Sequence, residues 1–176
     1  MKKSIKDTRL LNRAFVSFDG VNSGSIHFQD PKIIYWRFHI IWKNTGNTPT
    51  KKLRIHTNYE LRDTPIPDNF DFKDYNNPLE KYASCIIAPK STIVSQGFDV
   101  LGEEIFKVRE GQKYLYLWGW AEYRNIFDSK KLHISRFCVK VTDIINDPRL
   151  HYSDVDNRVI FNYSNHSKNN DFEEVV

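Results

Sequence analysis

Five large apolar residues alternate over one short stretch: Ile34, Trp36, Phe38, Ile40 and Trp42. Arg37, His39 and Lys43 fall out of phase with them. A β-strand sends successive side chains to opposite faces, so this pattern places one face in a core and leaves the other in water. On a helix the same rings would spread around the whole circumference. The segment Asn44-Thr45-Gly46-Asn47-Thr48-Pro49 that follows is dense in breakers, and Gly46-Asn47 suits a tight connection. From about Lys52 a second alternation begins. Leu53, Ile55, Thr57, Tyr59 and Leu61 lie on one side, and Lys52, Arg54, His56, Asn58 and Glu60 on the other. Two alternating strands joined by a short turn are expected to pair as an antiparallel unit with one buried face.

The rest of the chain reads in the same idiom. Residues 13–18 form a short strand, and Asp19-Gly20 with Asn22-Ser23-Gly24-Ser25 supplies turn chemistry before a return at 26–28. Residues 63–78 carry three prolines and many Asp and Asn, the mark of a long loop that Phe70, Phe72 and Tyr75 would pin down. Residues 79–88 return toward strand, and 92–95 form another short one. Residues 100–110 read as a short helix or an irregular crossing, with Glu103 and Glu104 early, where a helix dipole favours acids.

Residues 113–124 form the second strong strand, apolar on both faces. Tyr114, Tyr116, Trp118 and Trp120 share one face; Leu115, Leu117, Ala121 and Tyr123 share the other. Such a strand is covered on both sides, or on one side by a loop or a partner. Gly119 in its middle suggests a bulge or a close backbone approach. Over residues 132–141 the apolar phase flips, from Leu132 and Ile134 to Phe137, Val139 and Val141, which predicts a β-bulge near Ser135-Arg136. Residues 143–156 read as loop and 158–163 as a last edge strand. The whole predicts an all-β fold: an antiparallel immunoglobulin-like β-sandwich of seven or eight strands with a short N-terminal helix. Residues 1–12 are the lead-in helix or linker, 13–163 the sandwich, and 164–176 a polar, mobile tail.

A chain of 176 residues fits one domain and needs no staples to fold. Its 14% of aromatic residues can build a core, since each buried ring removes a large area from water. The net charge of +4 comes from basic residues scattered among 22 acids, not gathered in runs, so no specific nucleic-acid partner is expected. Cys85 and Cys138 each lie in an apolar strand-like run without a basic neighbour, which points to two buried thiols over one bridge or a reactive thiol. No apolar run is long enough for a membrane helix, and no apolar stretch of a signal peptide follows Lys2-Lys3.

No phosphate loop, nucleophile elbow, His-Glu-x-x-His or Cys-x-x-Cys is present, and no cofactor or metal is expected. The six histidines never stand at metal-ligand spacing. His39 and His56 fall at polar positions of neighbouring expected strands and would face each other across a sheet, but no third ligand accompanies them. Asp63, Asp68, Asp71 and Asp74 lack the spacing of an EF-hand and read as solvated loop acids. Glu122 is the one acid within the aromatic strand and is expected to pair with Arg124 or Arg136. The aromatic run offers core packing, with Tyr114, Tyr116 or Trp120 partly available to a partner.

Two sets of segments resemble a large group of uncharacterised bacterial membrane-anchored proteins. The first set is Arg13-Ala14-Phe15-Val16 and Trp42-Lys43-Asn44-Thr45-Gly46-Asn47-Thr48-Pro49. The second is Leu117-Trp118-Gly119-Trp120-Ala121-Glu122-Tyr123-Arg124-Asn125-Ile126-Phe127 and Arg136-Phe137-Cys138. Such proteins carry one or two N-terminal membrane helices, a short helical linker and a C-terminal immunoglobulin-like β domain. The resemblance covers residues 9 to 165 and implies a fold and a membrane neighbourhood, but no catalytic residue. This chain shows no membrane segment, so it is either a soluble relative in the cytoplasm or a domain whose anchor lies upstream. The expected function is a non-enzymatic binding or interaction module, with Tyr114, Tyr116, Trp118, Trp120, Arg37, His39 and His56 as candidate contacts. A protein partner or self-association is expected. A small-molecule sensor with a pocket between the sheets or under the 63–78 loop is the alternative, and a hydrolase using Glu122 or the loop acids is a third.

Overall fold

The computed structural model describes residues 12–28, 30, 32–67, 70, 84–150, 158–165 and 174–175. Two antiparallel sheets make up an all-β sandwich. The first holds β1 (Val16–His27), β2 (Ile34–Asn44), β4 (Thr92–Val94) and β5 (Phe98–Leu101). β1 runs along one edge of β2, and β4 and β5 share the other. The second holds β3 (Thr50–Arg62), β6 (Tyr114–Asn125), β7 (His133–Ile145) and β8 (Ile160–Asn165), in that order. The two-residue β9 (Glu174–Val175) adds to β7. Helix α1 (Gly102–Arg109) follows β5, with Glu103 and Glu104 in its first turn and Lys107 and Arg109 in its last.

The alternating row of β2 faces inward as its periodicity requires. Ile34, Trp36, Phe38, Ile40 and Trp42 are all buried, against Leu53, Leu115, Leu117, Tyr123, Phe137 and Val139 of the opposite sheet. Phe137 stacks on Phe18 at 4.5 Å and takes the edge of Trp42 at 5.4 Å. Rings of this size filling the space between two sheets each remove a large apolar area from water.

Strand pairing departs from the sequence expectation in four places. β2 and β3 do not pair; they belong to different sheets. The buried Asn44 side chain is the reason. Its Oδ1 accepts from the Phe15 and Gly46 N–H groups, and its Nδ2 donates to the carbonyls of Thr48, Ile87 and Ala88. These bonds carry the chain across the sandwich where a hairpin would have folded it back. The expected hairpin at 13–28 is instead one strand, paired with β2 from Val16 to His27, with a single register shift between Phe18 and Gly20. Its Gly, Asn and Ser residues have turn chemistry, but continuous pairing overrides it. The expected bulge at Ser135-Arg136 is absent, since β6 and β7 pair without a shift from Tyr116↔Lys140 to Tyr123↔His133. The phase flips because polar residues take the inward positions. Ser135 donates to the Val16 carbonyl at 2.6 Å, and His133 Nε2 meets Asn125 Nδ2 at 2.7 Å. Finally, β7 continues to Ile145, beyond the expected loop start, because Ile144 reaches the core and β8 pairs alongside.

Of the region expected to return toward strand at 79–88, Cys85 forms a bridge to Leu53. The lead-in segment 1–11, Phe72 and Tyr75, and most of the tail lie outside the described residues. Glu174 and Val175 of that tail are in strand β9.

Candidate functional site

The outer face of the second sheet carries most of the residues singled out above. The inward parity of β6 sends Leu115, Leu117, Ala121 and Tyr123 to the core, so Tyr114, Tyr116, Trp118, Trp120 and Glu122 point outward. Cross-strand register then sets their neighbours. His56 of β3 and Arg136 of β7 flank Trp120; Asn58 and Cys138 flank Trp118; Arg54 lies opposite Glu122.

His56 and the two Trp rings form one stack. His56 lies 4.2 Å from Trp120 at an interplanar angle of 28°, and Trp118 lies 6.0 Å from Trp120. Trp118, Tyr116 and Cys138 form a second apolar cluster with Ile66, against which Phe70, Tyr114 and Trp120 pack. The Ile66 N–H points to the Tyr116 hydroxyl at 3.4 Å. Trp118 and Tyr116 are 4% and 2% exposed, so the candidate set narrows on this face: the rings that reach solvent are Tyr114 and Trp120. His56 is buried as well.

Charge rims these rings. Arg54 donates to Glu122 at 3.3 Å, so the partner of Glu122 is Arg54 of β3, not Arg124 or Arg136. Arg124 turns instead to the carbonyls of Ser129 and Lys130. Lys140 stands 4.7 Å over the Tyr114 ring, and Arg62 stands 5.5 Å over Phe70. The sequence could not name these partners, because a strand's parity gives its faces and the register alone gives its neighbours.

Arg37 and His39 stand elsewhere. Both point outward from β2 in the first sheet, so His39 and His56 lie on opposite sides of the sandwich and do not face each other. Arg37 holds Asp99 through two 2.7 Å hydrogen bonds, and His39 Nδ1 sits 3.0 Å from the Ser95 carbonyl. The Arg37 hydrogen bonds hold the Asp99 carboxyl below its usual range. That contribution to stability is present above the unfolded carboxylate pKa and is lost as pH falls. Asp63 is exposed, with Lys113 at 3.9 Å, while Asp68, Asp71 and Asp74 lie outside the described residues. Among the described residues no three His, Cys, Asp or Glu side chains converge as metal ligands.

Cys85 and Cys138 are both free thiols. Burial pushes the Cys138 thiol up to about 12, and burial also raises the Tyr163 hydroxyl. Each group is therefore neutral in the fold at a pH where its unfolded counterpart ionises, near about 8.5 for Cys and 10 for Tyr. Their stabilising effect is whole below the unfolded pKa and lost as pH rises toward the folded one. The urea midpoint is expected to fall steadily above about pH 9, and Cys138→Ala to flatten part of that fall. A midpoint unchanged between about pH 8 and 11 would exclude this account.

No protein-family model matches this chain, and no curated protein or solved structure shows significant similarity to it.

Proposed function

We propose that this chain is a non-enzymatic interaction module of a bacterial membrane-associated protein, built on an immunoglobulin-like sandwich, and that it docks a protein partner through the outer face of the second sheet. The observation that carries this reading is the half-buried Trp120 ring, held by the stack on His56 and flanked by Arg136 and the Arg54–Glu122 pair. Binding hot spots favour Trp, Tyr and Arg, set in a rim that excludes water. A ring already fixed by stacking loses little side-chain freedom when a partner covers it. The membrane neighbourhood rests on the resemblance of the Trp42–Pro49 and Leu117–Phe127 segments to anchored bacterial proteins.

A photo-crosslinking amino acid placed at Trp120, and in a separate variant at Val94 on the first sheet, tests the docking face in cells. A discrete protein adduct is expected from position 120 and not from 94. With that partner purified, Trp120→Ala should weaken binding roughly thirtyfold, about 2 kcal/mol. Equal labelling from both positions, or unchanged affinity in the variant, removes this face from consideration. An in-frame apolar stretch of about 20 residues upstream of Met1 would support the anchor, and an upstream stop codon would remove it.

A further inference from the structure

A different part of the molecule departs from the logic of its own core. Along the inward face of β1, Phe18 lies opposite Trp42 and Val21 opposite Ile40, and both pack on the core. The next inward positions, opposite Phe38 and Trp36, are Ser23 and Ser25. The β2 side of the pairing remains apolar while the β1 side becomes polar. Ser23 lies near the Tyr163 hydroxyl of β8. The Ser25 hydroxyl has no partner among the described residues. A hydroxyl turned inward without a partner is costly in a dry interior and tolerated where polar atoms can reach it.

The space beside these serines is a cavity of about 270 Å³, at the margin where the edge strand β1 of one sheet meets the chain leading into the edge strand β8 of the other. Trp36 and Leu150 give it apolar walls, and Arg158 stands at its side. The Trp36 indole N–H is satisfied by the Pro148 carbonyl at 2.8 Å, and the ring, packed on Phe161 and mostly buried, lends only part of its apolar surface to the cavity. The Asn146 side chain holds the Arg158 carbonyl at 2.8 Å, and the Arg158 guanidinium has no acidic partner among the described residues. β1 is the edge strand of its sheet, so the side of its backbone that faces away from β2 has no strand partner among the described residues.

We propose that this cavity binds a small organic carboxylate. Arg158 pairs with the carboxylate through its planar fork of donors. Ser25 and the open β1 edge hydrogen-bond the ligand's polar body, and Trp36 and Leu150 cover its apolar face. The volume lies just below the range that holds drug-sized ligands, which limits the occupant to about the size of one amino acid or one acidic sugar. This site is independent of the docking face on β6.

The test is a titration followed by ¹H–¹⁵N spectra. Sodium glucuronate and N-acetylglutamate are the probes, with glucose and N-acetylglutamine α-amide, in which both carboxyl groups are amides, as neutral counterparts. Saturable shifts of the Gly24 and Ser25 amides and the Trp36 indole N–H are expected with one or both carboxylates and not with the neutral pair. Which carboxylate binds tells an acidic sugar from an amino-acid derivative. Arg158→Gln, a surface change that spares the core, should weaken binding at least about tenfold. No saturable shift at millimolar carboxylate, equal shifts with the neutral counterparts, or full affinity in Arg158→Gln would each overturn the proposal.

Discussion

Replacing Asn44 with Ala is expected to cost about 4 kcal/mol of folding stability and to lower the melting temperature by about 12 °C. Asn44 is fully buried, and its side chain ties together three stretches of backbone, at Phe15, at 46–48 and at 87–88. It accepts from the Phe15 and Gly46 N–H groups at 3.1 and 3.0 Å. It donates to the Thr48 carbonyl at 2.7 Å and to those of Ile87 and Ala88 at 3.3 Å. Alanine leaves buried backbone groups with no partner, and each such group costs about 1–3 kcal/mol where water cannot replace the bond. The same substitution removes one tie on Arg13–Phe15, which packs directly over Gly46 and stays bonded to the Thr45 and Asn47 N–H groups. A Cβ on Gly46 would come within 2.1 Å of the Arg13 carbonyl oxygen. Urea unfolding followed by Trp fluorescence measures the loss. A change below about 1 kcal/mol would show that water, or a shift of the turn, replaces the Asn44 bonds.

Gly119→Ala is expected to cost about 3 kcal/mol or more and to disturb the outer face as well. A Cβ at Gly119 would stand 2.2 Å from the His56 carbonyl oxygen and 3.0 Å from the Thr57 Cα. Both atoms are backbone of β3, so no side chain can rotate away, and β3 itself must move. His56 moves with it and takes the Trp120 stack along. The stability loss should therefore appear with a changed near-ultraviolet circular dichroism, where the Trp pair contributes. Gly24→Ala is the control: its Cβ meets nothing within 4 Å, and it should stay within about 0.5 kcal/mol of the parent. Equal effects at the two glycines would mean that helix or strand propensity, not backbone contact, sets the cost.

A glycine inside an aromatic strand signals either a bulge or a backbone that passes too close for a side chain. At Gly119 it is the second, with β3 as the neighbour. The two apolar faces of β6 were legible too. What covers the outer one was not. Trp118 and Tyr116 disappear against Ile66 and Phe70, which arrive from a loop more than forty residues away in sequence order. The candidate binding residues divided for a related reason. Arg37 and His39 share the parity of outward residues with His56, but parity carries no information about which sheet a strand joins.

Local order in the chain determined the period, and the period determined the class: alternating rings in β2 can bury one face only as a strand. It also determined which side chains of each long strand turn inward wherever those side chains are apolar. Tertiary structure decided the rest, namely which strands are neighbours, where the 44–49 linker crosses, and which polar groups are allowed inside. Asn125 accepts from the Ala14 N–H at 2.9 Å across 111 residues, and Ser135 reaches Val16 across 119. A buried polar residue is inward only if such a distant partner satisfies it. That condition belongs to the assembled sandwich, which is why His133 and Ser135 looked like a break in the pattern until the two sheets were set face to face.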